Sequence, residues 1–370
     1  MFYQIHFVVP CAPFGGTTSL MSLYYNVNMK KLKNTLFSNK PVTIDENSII
    51  MALESSCDET ACAIVRGGRE VLANVVASQI KTHEKFGGVI PEIAAREHLE
   101  AVNVVVDEAF KQANINPSEI DAFAATVGPG LVGCLLVGLN AAKTLALAYD
   151  KPFIGINHLN AHISANFIDT TLEPPFIALL VSGGHTQIID VRSYSDMEII
   201  GETIDDAVGE AYDKVARLIG LPYPGGPKLD KMAQDGNPLA FKLPEAKVGG
   251  YDFSFSGLKT AVLRLVKSFD GQELPVKDIC ASFQECVSST LLKKVKRALE
   301  ERGYKQVVLA GGVAANSEIR RKIFSLQYEG YSVYAPVMKY CTDNASMVAS
   351  SAFFFDKTFD DVNVEVFSRA

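Results

Sequence analysis

The chain has 370 residues, of which 48% are hydrophobic and 21% are charged, a composition typical of a globular protein whose length favours two lobes. The formal net charge of −7 argues against a protein that binds nucleic acid alone over a broad basic surface, because phosphate neutralisation supplies most of that affinity. No apolar run reaches the roughly 20 residues of a membrane span, and none of the seven cysteines forms a CxxC pair, which favours a reducing compartment.

Residues 1–44 differ from the rest of the chain because they contain four lysines but no arginine and no acidic residue. A signal peptide carries its charge before the apolar stretch, and a transit peptide is rich in arginine, so neither pattern fits. We predict that residues 1–47 are a poorly ordered extension, with Met29 as an alternative start, and that the protein is cytoplasmic. The alternative is an organellar protein in which residues 1–44 are a targeting segment.

From Ser48 onward, short apolar runs alternate with segments of helical spacing. The first apolar run is followed by a polar turn, two further strands and the first long helix. The strands predicted in this half are Ile49–Leu53, Ala61–Val65, Val71–Ser78, Ala122–Val127 and Phe153–Ile156, and the helices are Ile93–Gln112 and Cys134–Tyr149.

A similar pattern starts again near residue 176. A strand, a turn containing Ser182-Gly183-Gly184 and a return strand repeat the opening of the first half. Two such openings about 130 residues apart predict two related α/β lobes with a cleft between them. The elements predicted in this half are the strands Phe176–Val181, Thr186–Val191, Val307–Ala310 and Ser332–Ala335 and the helix Asn316–Ser325.

His158 and His162 are four residues apart, so on a helix they share one face and can bind one metal ion. The alternative is two histidines on a helix surface. A zinc protease would need a glutamate directly after the first histidine as its general base, and that position is Leu159. Asp343 is a candidate third ligand, although its place before the apolar segment 345–353 equally suits a helix N-cap.

Three polar or glycine-rich turns follow apolar strands and are candidates for binding an anion or a nucleotide. Hydroxyls and consecutive backbone N–H groups suit a phosphate or carboxylate, and paired glycines let the backbone approach a ligand closely. Each turn also fits a simpler structure, namely a hairpin or a tight strand-to-helix connection. The three turns are Glu54–Thr60, Leu180–Thr186 and Ala310–Asn316.

The acidic segment Asp205–Lys214 is predicted to be a helix that leads into the rigid loop Tyr223–Asp230. On such a helix Glu210 and Asp213 share a face towards the loop, which suits ribose hydroxyls or a small polar substrate. The alternative is a solvated acidic face. No serine or cysteine stands in a nucleophile signature, so covalent catalysis has no candidate residue.

Together these motifs and their order resemble the TsaD family, the bacterial and organellar tRNA threonylcarbamoyladenosine transferases. The resemblance runs from about Ile49 to Phe355, which is most of the chain. The motifs that carry it are Glu54–Thr60, Gly87–Glu92, Gly128–Leu131, His158–His162, Val181–Gln187, Ile204–Asp206, Tyr223–Pro227, Asp252–Thr260, Gly311–Asn316 and Cys341–Asn344.

The resemblance implies a fold of the actin/Hsp70/sugar-kinase type, with two ribonuclease-H-like α/β lobes around a cleft. In this fold we expect the first lobe to comprise residues 48–157, completed by a C-terminal helix over 343–356. The second lobe is expected over residues 158–342. The implied enzyme is an acyltransferase that moves a threonylcarbamoyl group from threonylcarbamoyl-AMP to N6 of adenosine 37, forming t6A in tRNAs that read codons beginning with A.

The resemblance also implies residue roles. The implied metal ligands are His158, His162 and Asp343, and imidazole with carboxylate allows iron or zinc, of which Fe2+ is our prediction. The implied contacts of the adenylate substrate are Leu180, Val181, Ser182, Gly183, Gly184, Asp213, Gly226, Asp230 and Asn316. The mixed anhydride is already activated, which agrees with the missing nucleophile.

The implied partners are tRNA, a non-catalytic TsaB-like paralogue and a small TsaE-like ATPase, with no membrane. Three other functions compete with the transferase. They are a metalloprotease using the histidine pair, an ATP-dependent kinase or carbamoyltransferase on the same fold, and a non-enzymatic Hsp70-like nucleotide-binding module.

Overall fold

The computed structural model describes residues 43–355, 360 and 363–368. The predicted N-terminal extension, residues 1–47, lies almost entirely outside this range, and so does residue 356 at the end of the predicted C-terminal helix.

The first half of the chain forms a five-stranded sheet with the order β3-β2-β1-β4-β5. The first three strands are antiparallel, and β4 and β5 run parallel to β1. Parallel neighbours need a crossover, which the helices of this half supply. The strands are β1 Ile49–Glu54, β2 Glu59–Arg66, β3 Glu70–Ser78, β4 Ala122–Gly128 and β5 Phe153–Asn157.

The second sheet repeats this topology with the order β10-β9-β6-β7-β8. Its first three strands are again antiparallel, and β9 and β10 again run parallel to β6. The internal repeat predicted from the two strand–turn–strand openings is therefore present in the fold. The strands are β6 Phe176–Val181, β7 Thr186–Ser193, β8 Asp196–Glu202, β9 Gln306–Ala310 and β10 Ser332–Tyr334.

Ten α-helices cover the sheets in the described part of the chain. The four in the first half are α1 Ile80–Glu84, α2 Pro91–Ala113, α3 Val132–Tyr149 and α4 His158–Ser164. The six in the second half are α5 Val208–Leu218, α6 Gly225–Ala233, α7 Ser256–Lys267, α8 Val276–Arg302, α9 Ser317–Phe324 and α10 Ala345–Phe354. Contrary to the expectation that no apolar segment is long enough for a membrane span, the 18-residue helix α3 has that length and an apolar composition, yet it packs against β4 and α2, as a core helix does.

One hydrophobic cluster joins the two sheets. It contains buried residues of β1 and β5 from the first sheet, of β6 and β9 from the second, and of α4 and α10. These two helices pack on each other, and α10 lies along the first sheet. The expected boundary at residues 157/158 stays a prediction, because the core is continuous across it. The residues that begin α4 and precede α10 lie at this junction.

Candidate metal centre and substrate cleft

Helix α4 begins at the first histidine because the residue before it caps the helix. The side-chain oxygen of Asn157, the last residue of β5, accepts hydrogen bonds from the backbone N–H groups of Leu159 at 2.9 Å and Asn160 at 3.4 Å. A cap at this position starts the helix with His158 and brings His162 to the same face one turn later. Leu159 is 5% exposed and packs in the core, so the position where a zinc protease carries its base is apolar and buried.

Asp343 stands immediately before the residue that caps α10. The Asn344 side-chain oxygen accepts from the backbone N–H of Met347 at 3.1 Å, and its amide group donates to two preceding carbonyls. The N-cap interpretation of Asp343 is therefore wrong. Its Oδ1 instead lies 3.2 Å from His162 Nε2 and 3.6 Å from His158 Nε2.

The donor set of this cluster fits a transition-metal ion. One ligand atom from each of His158, His162 and Asp343 lies within 4.8 Å of the other two. Two imidazole nitrogens and one carboxylate oxygen suit iron or zinc, and three protein ligands leave coordination positions for substrate. The structure thus brings together the three residues that the sequence proposed as ligands, although they come from two distant segments.

The charged groups of the cluster shift one another's pKa values. Burial would lower the pKa of His158, but the nearby carboxylates of Glu54 and Asp343 raise it to about 9. Burial would raise the pKa of Asp343, but His158 and His162 lower it to about 2. Carboxylates and imidazoles thus face one another in this cluster, and a metal cation can balance the negative charge of the carboxylates.

Glu54 is a site residue that sequence reasoning missed. Its Oε2 lies 3.1 Å from His158 Nδ1, and the Ser56 hydroxyl lies 3.3 Å from the same nitrogen. We interpreted Glu54–Thr60 as an anion-binding turn, but here its first carboxylate faces a histidine. The Ser55 hydroxyl is also used internally, because it donates to the Cys134 carbonyl. The sequence feature that could have identified Glu54 is an apolar strand that ends in an acidic residue, with no lysine or arginine in the following turn.

The turn between β6 and β7, which contains Gly183 and Gly184, borders open space next to the cluster of His158, His162 and Asp343. The Ser182 N–H donates to the His185 carbonyl at 2.8 Å, which closes the turn. Among the described residues, a Cβ atom added to Gly183 or Gly184 would meet nothing within 4 Å. Burial lowers the pKa of His185, and the charges of the two α4 histidines lower it further. Of the other predicted contacts in β6, Leu180 and Val181 are fully buried, so their side chains support the turn from within the core.

Asp213 of α5 holds the start of α6. Its Oδ1 accepts from the backbone N–H groups of Gly225 at 2.9 Å and Gly226 at 3.1 Å. Burial raises the pKa of Asp213, and these two hydrogen bonds partly offset that rise. Glu210 does not share this role, because it is exposed and pairs with Lys214 at 2.8 Å. The predicted acidic helix also begins later than expected, at Val208.

Asp230 and Asn316 meet through a residue that the sequence analysis did not single out. Gln284 of α8 donates to Asp230 at 2.9 Å, and its oxygen accepts from the Asn316 amide at 3.0 Å. The Ser317 hydroxyl also donates to Asp230, at 2.7 Å. Asn316 additionally caps α9 through the Ile319 N–H, so both ends of its amide are engaged.

Close backbone packing links the glycine turn after β6 to α5 and to the turn after β9. Gly209, at the start of α5, packs so closely under the Ser182 carbonyl that a Cβ there would approach it to 2.7 Å. Gly311 has φ +89° and lies against the Val181 backbone. A cavity of about 280 Å³ opens where the segment after α1 faces α5 and α6. Its lining includes Phe86, Gly87, Asp213, Arg217, Tyr223 and Gly225.

The two sheets have the same strand topology, and the candidate site lies at their junction. This arrangement defines a protein of the actin/Hsp70/sugar-kinase class. Solved structures agree with this fold. HypF of T. kodakarensis superimposes with a TM-score of 0.61 at 16% identity, covering 86% of this chain and 49% of that one. Full-length HypF in a phosphate- and nucleotide-bound form gives a TM-score of 0.59 at 15% identity, covering 86% and 48%.

Sequence comparison then gives the family. The TsaD family model, described as tRNA N6-adenosine threonylcarbamoyltransferase, matches residues 70–350. A protein of that name from Picosynechococcus is 54% identical over 316 residues, covering 82% of this chain and 89% of the relative. One from Clostridium perfringens is 52% identical over 312 residues, covering 83% and 92%. The chain belongs to the tRNA N6-adenosine threonylcarbamoyltransferase family, which is an acyltransferase family, and the resemblance inferred from its motifs is confirmed.

Proposed function

We propose that this protein transfers the threonylcarbamoyl group of threonylcarbamoyl-AMP to N6 of adenosine 37 in tRNAs that read codons beginning with A, forming t6A. The observation that carries the proposal is the His158, His162 and Asp343 cluster beside an open glycine turn, in a chain of this family. A metalloprotease is disfavoured, because the buried Leu159 replaces the base that it would need.

The second lobe is proposed to bind the adenylate end of the donor. Gly183 and Gly184 border open space, so their backbone N–H groups suit the phosphate, while the Ser182 N–H closes the turn through the His185 carbonyl. Asp213 holds the start of α6, where the Gly226 backbone lies open to solvent, so this corner suits ribose hydroxyls. Asp230 and Asn316, which Gln284 joins by hydrogen bonds, are proposed to complete the adenylate site.

His158, His162 and Asp343 are proposed to hold one divalent ion, Fe2+ in our proposal with Zn2+ as the alternative. When bound, such an ion supplies Lewis-acid polarisation of the donor. The three side chains orient it at the junction of the lobes, where the buried face of α4 excludes water. The histidine pair of α4 and Asp343, which precedes α10, meet there because both helices lie at this junction.

The proposed transfer needs no protein nucleophile. The adenosine N6 amine attacks the carbonyl carbon of the carbamoyl group, the bond from that carbon to the phosphate oxygen breaks, AMP leaves, and the N6 proton passes to solvent. Orientation in the cleft replaces covalent catalysis. The base is unstacked in the anticodon loop, since stacking would hide its N6 edge.

The test is reconstitution of the chain with threonylcarbamoyl-AMP, tRNA and partner proteins, with modified adenosine measured by mass spectrometry. The wild type is expected to form t6A, and Asp343→Asn is expected to lose at least 100-fold in rate while remaining folded. Asp235→Asn is the matched control, because this exposed carboxylate only pairs with Lys277. Equal t6A formation by Asp343→Asn and the control would overturn the role of the cluster.

We further propose that tRNA binding is shared with a TsaB-like paralogue and a TsaE-like ATPase in the cytoplasm. The net charge of −7 supports shared binding. The basic stretch of α8 adds little, because Lys293 and Arg297 are paired with Glu245 and Glu301. The chain alone is therefore expected to bind tRNA weakly in an equilibrium titration, and a sub-micromolar affinity at physiological salt would contradict this.

A further inference from the structure

The carboxylate of Glu54 is buried without the partner that such a charge usually has. Glu54 is the last residue of β1 and is 1% exposed. Within the described residues its one ion-pair partner is His158, and no lysine or arginine lies within 4 Å of it. Burial of a carboxylate is costly unless hydrogen bonds or an opposite charge compensate it. The buried charge of Glu54 therefore points to a function of this carboxylate.

Both oxygens of Glu54 are held in place. Oε1 accepts a hydrogen bond from the backbone N–H of Ser56 at 2.6 Å. Oε2 accepts from the Thr126 hydroxyl at 2.6 Å and faces His158 Nδ1 at 3.1 Å. The turn after β1 and strand β4 thus hold the carboxylate, which faces a histidine 104 positions away in the chain.

This contact determines which nitrogen of His158 is free for a metal. A carboxylate at Nδ1 keeps the proton on that nitrogen, so the lone pair is on Nε2, the atom that faces Asp343. The second imidazole has no equivalent support, because the buried Nδ1 of His162 has no hydrogen-bond partner among the described residues. The two histidines of the cluster are therefore oriented by different means.

We propose that Glu54 is a positioning residue that fixes the tautomer and ring orientation of His158 and thereby sets the metal affinity of the site. The inference rests on the metal site of the proposed function. It adds a residue that is not itself a metal ligand. It also gives Glu54, the first residue of the Glu54–Thr60 motif, a role at the metal site instead of a role in anion binding.

The first experiment measures the affinity of the full-length protein for Zn2+ alone, by competition with a chelating dye. Glu54→Gln keeps the shape of the side chain and removes its charge, and we expect zinc binding 10- to 100-fold weaker than in the wild type. Asp190→Asn is the matched control, because Asp190 is also 1% exposed but pairs with Arg302 in the second lobe. The control is expected to bind zinc like the wild type.

The second experiment reads the tautomer directly. The chain has six histidines, so selectively 15N-labelled histidine gives a spectrum that single substitutions can assign. In the zinc-loaded wild type we expect His158 to carry its proton on Nδ1, and in Glu54→Gln we expect that signal to shift towards a mixture. A purely structural role of Glu54 would not move it.

The outcomes separate the two proposals. If the wild type fails to bind zinc, the metal site itself is wrong. If the wild type binds zinc and Glu54→Gln binds it within threefold with an unchanged His158 signal, the positioning role is wrong. Should Glu54→Gln fail to fold, Thr126→Val removes one support of the carboxylate, and a zinc affinity unchanged from wild type would overturn the inference in the same way.

Discussion

At the scale of single residues, the adjacent residues Asp343 and Asn344, directly before α10, have different structural roles. Asn344 caps α10, and this frees Asp343 to face the histidines. The same separation occurs at α4, where Asn157 caps the helix and His158 begins the cluster. Each candidate ligand next to a helix start is therefore placed by a capping asparagine rather than by its own hydrogen bonds to the helix.

Asn344→Ala is expected to destabilise the protein by about 1–2 kcal/mol, because it removes a buried cap and two donated hydrogen bonds. Asn344→Ser keeps an acceptor for the Met347 N–H and should lose less. Chemical denaturation measures both free energies of unfolding. Equal losses in the two variants would show that the cap is not the stabilising contact.

The glycine pair at the end of β9 offers a sharper contrast. Gly311 has φ +89°, and a Cβ there would collide with the Val181 backbone, whereas a Cβ at Gly312 would meet nothing within 4 Å. Gly311→Ala should therefore cost roughly 3 kcal/mol or more through backbone strain and overpacking. Gly312→Ala should be near neutral in thermal and chemical denaturation. Similar losses at the two positions would contradict the close approach.

The sequence could predict contacts that follow from local geometry, and it missed those made across the fold. The histidine pair was predictable because helical spacing alone puts positions i and i+4 on one face. Glu54 was not, because its contact with His158 depends on the strand order β1-β4-β5, which places the end of β1 near the residue that follows β5. Gln284 was missed for the same reason, since it joins Asp230 and Asn316 from a distant helix.

At the scale of elements, strands with buried apolar runs were predicted well and polar or uniformly buried elements were missed. Strand β8 was missed because most of its residues are exposed. The 27-residue helix α8 was missed because its buried residues lie on more than one face, which weakens the amphipathic pattern. The expected helix start at Asp205 was wrong, because that carboxylate is used elsewhere.

Asp205 stabilises the loop that precedes α7 through hydrogen bonds. It accepts hydrogen bonds from the Ser254 and Ser256 hydroxyls at 2.6 and 2.7 Å and from the Phe255 N–H at 2.8 Å. Burial would raise the pKa of Asp205, but these hydrogen bonds lower it to about 2. Since the folded pKa lies below the ordinary value of 3.8, the stabilisation is complete above about pH 4 and is lost as pH falls towards 2.

Asp205→Asn should therefore be less stable than the wild type at pH 7, by about 1 kcal/mol once solvent screening of this exposed side chain is allowed for. The difference should shrink between pH 4 and pH 2. Denaturation curves recorded across this range measure it. A difference that stays constant with pH would show that the charge of Asp205 does not contribute.

At the scale of the whole molecule, the two sheets share a core instead of each having only its own. Helices α4 and α10 pack into the cluster that joins them. The second sheet also has its own cluster with α5, α7 and α8, and the first sheet has one with α2 and α3. We therefore expect the lobes to unfold as one unit when the shared cluster is weakened.

Ile163→Ala and Ile279→Ala compare these cores, because both side chains are fully buried, one in α4 and the other in α8. Each should cost about 2–5 kcal/mol. In hydrogen-exchange measurements Ile163→Ala should accelerate exchange in both sheets, and Ile279→Ala chiefly in the second. Acceleration confined to the second sheet in both variants would show that the shared cluster does not couple the lobes.

The position of Asp343 has a consequence for when the proposed metal site can form. The histidine pair leaves the ribosome long before the carboxylate that completes the triad, and that carboxylate is placed only when α10 packs against α4 and the first sheet. A nascent chain, or one cleaved anywhere between α4 and α10, would have two imidazoles without the acid and would offer the proposed ion an incomplete ligand set. We therefore expect the proposed site to be completed only after synthesis has reached the C-terminal helix.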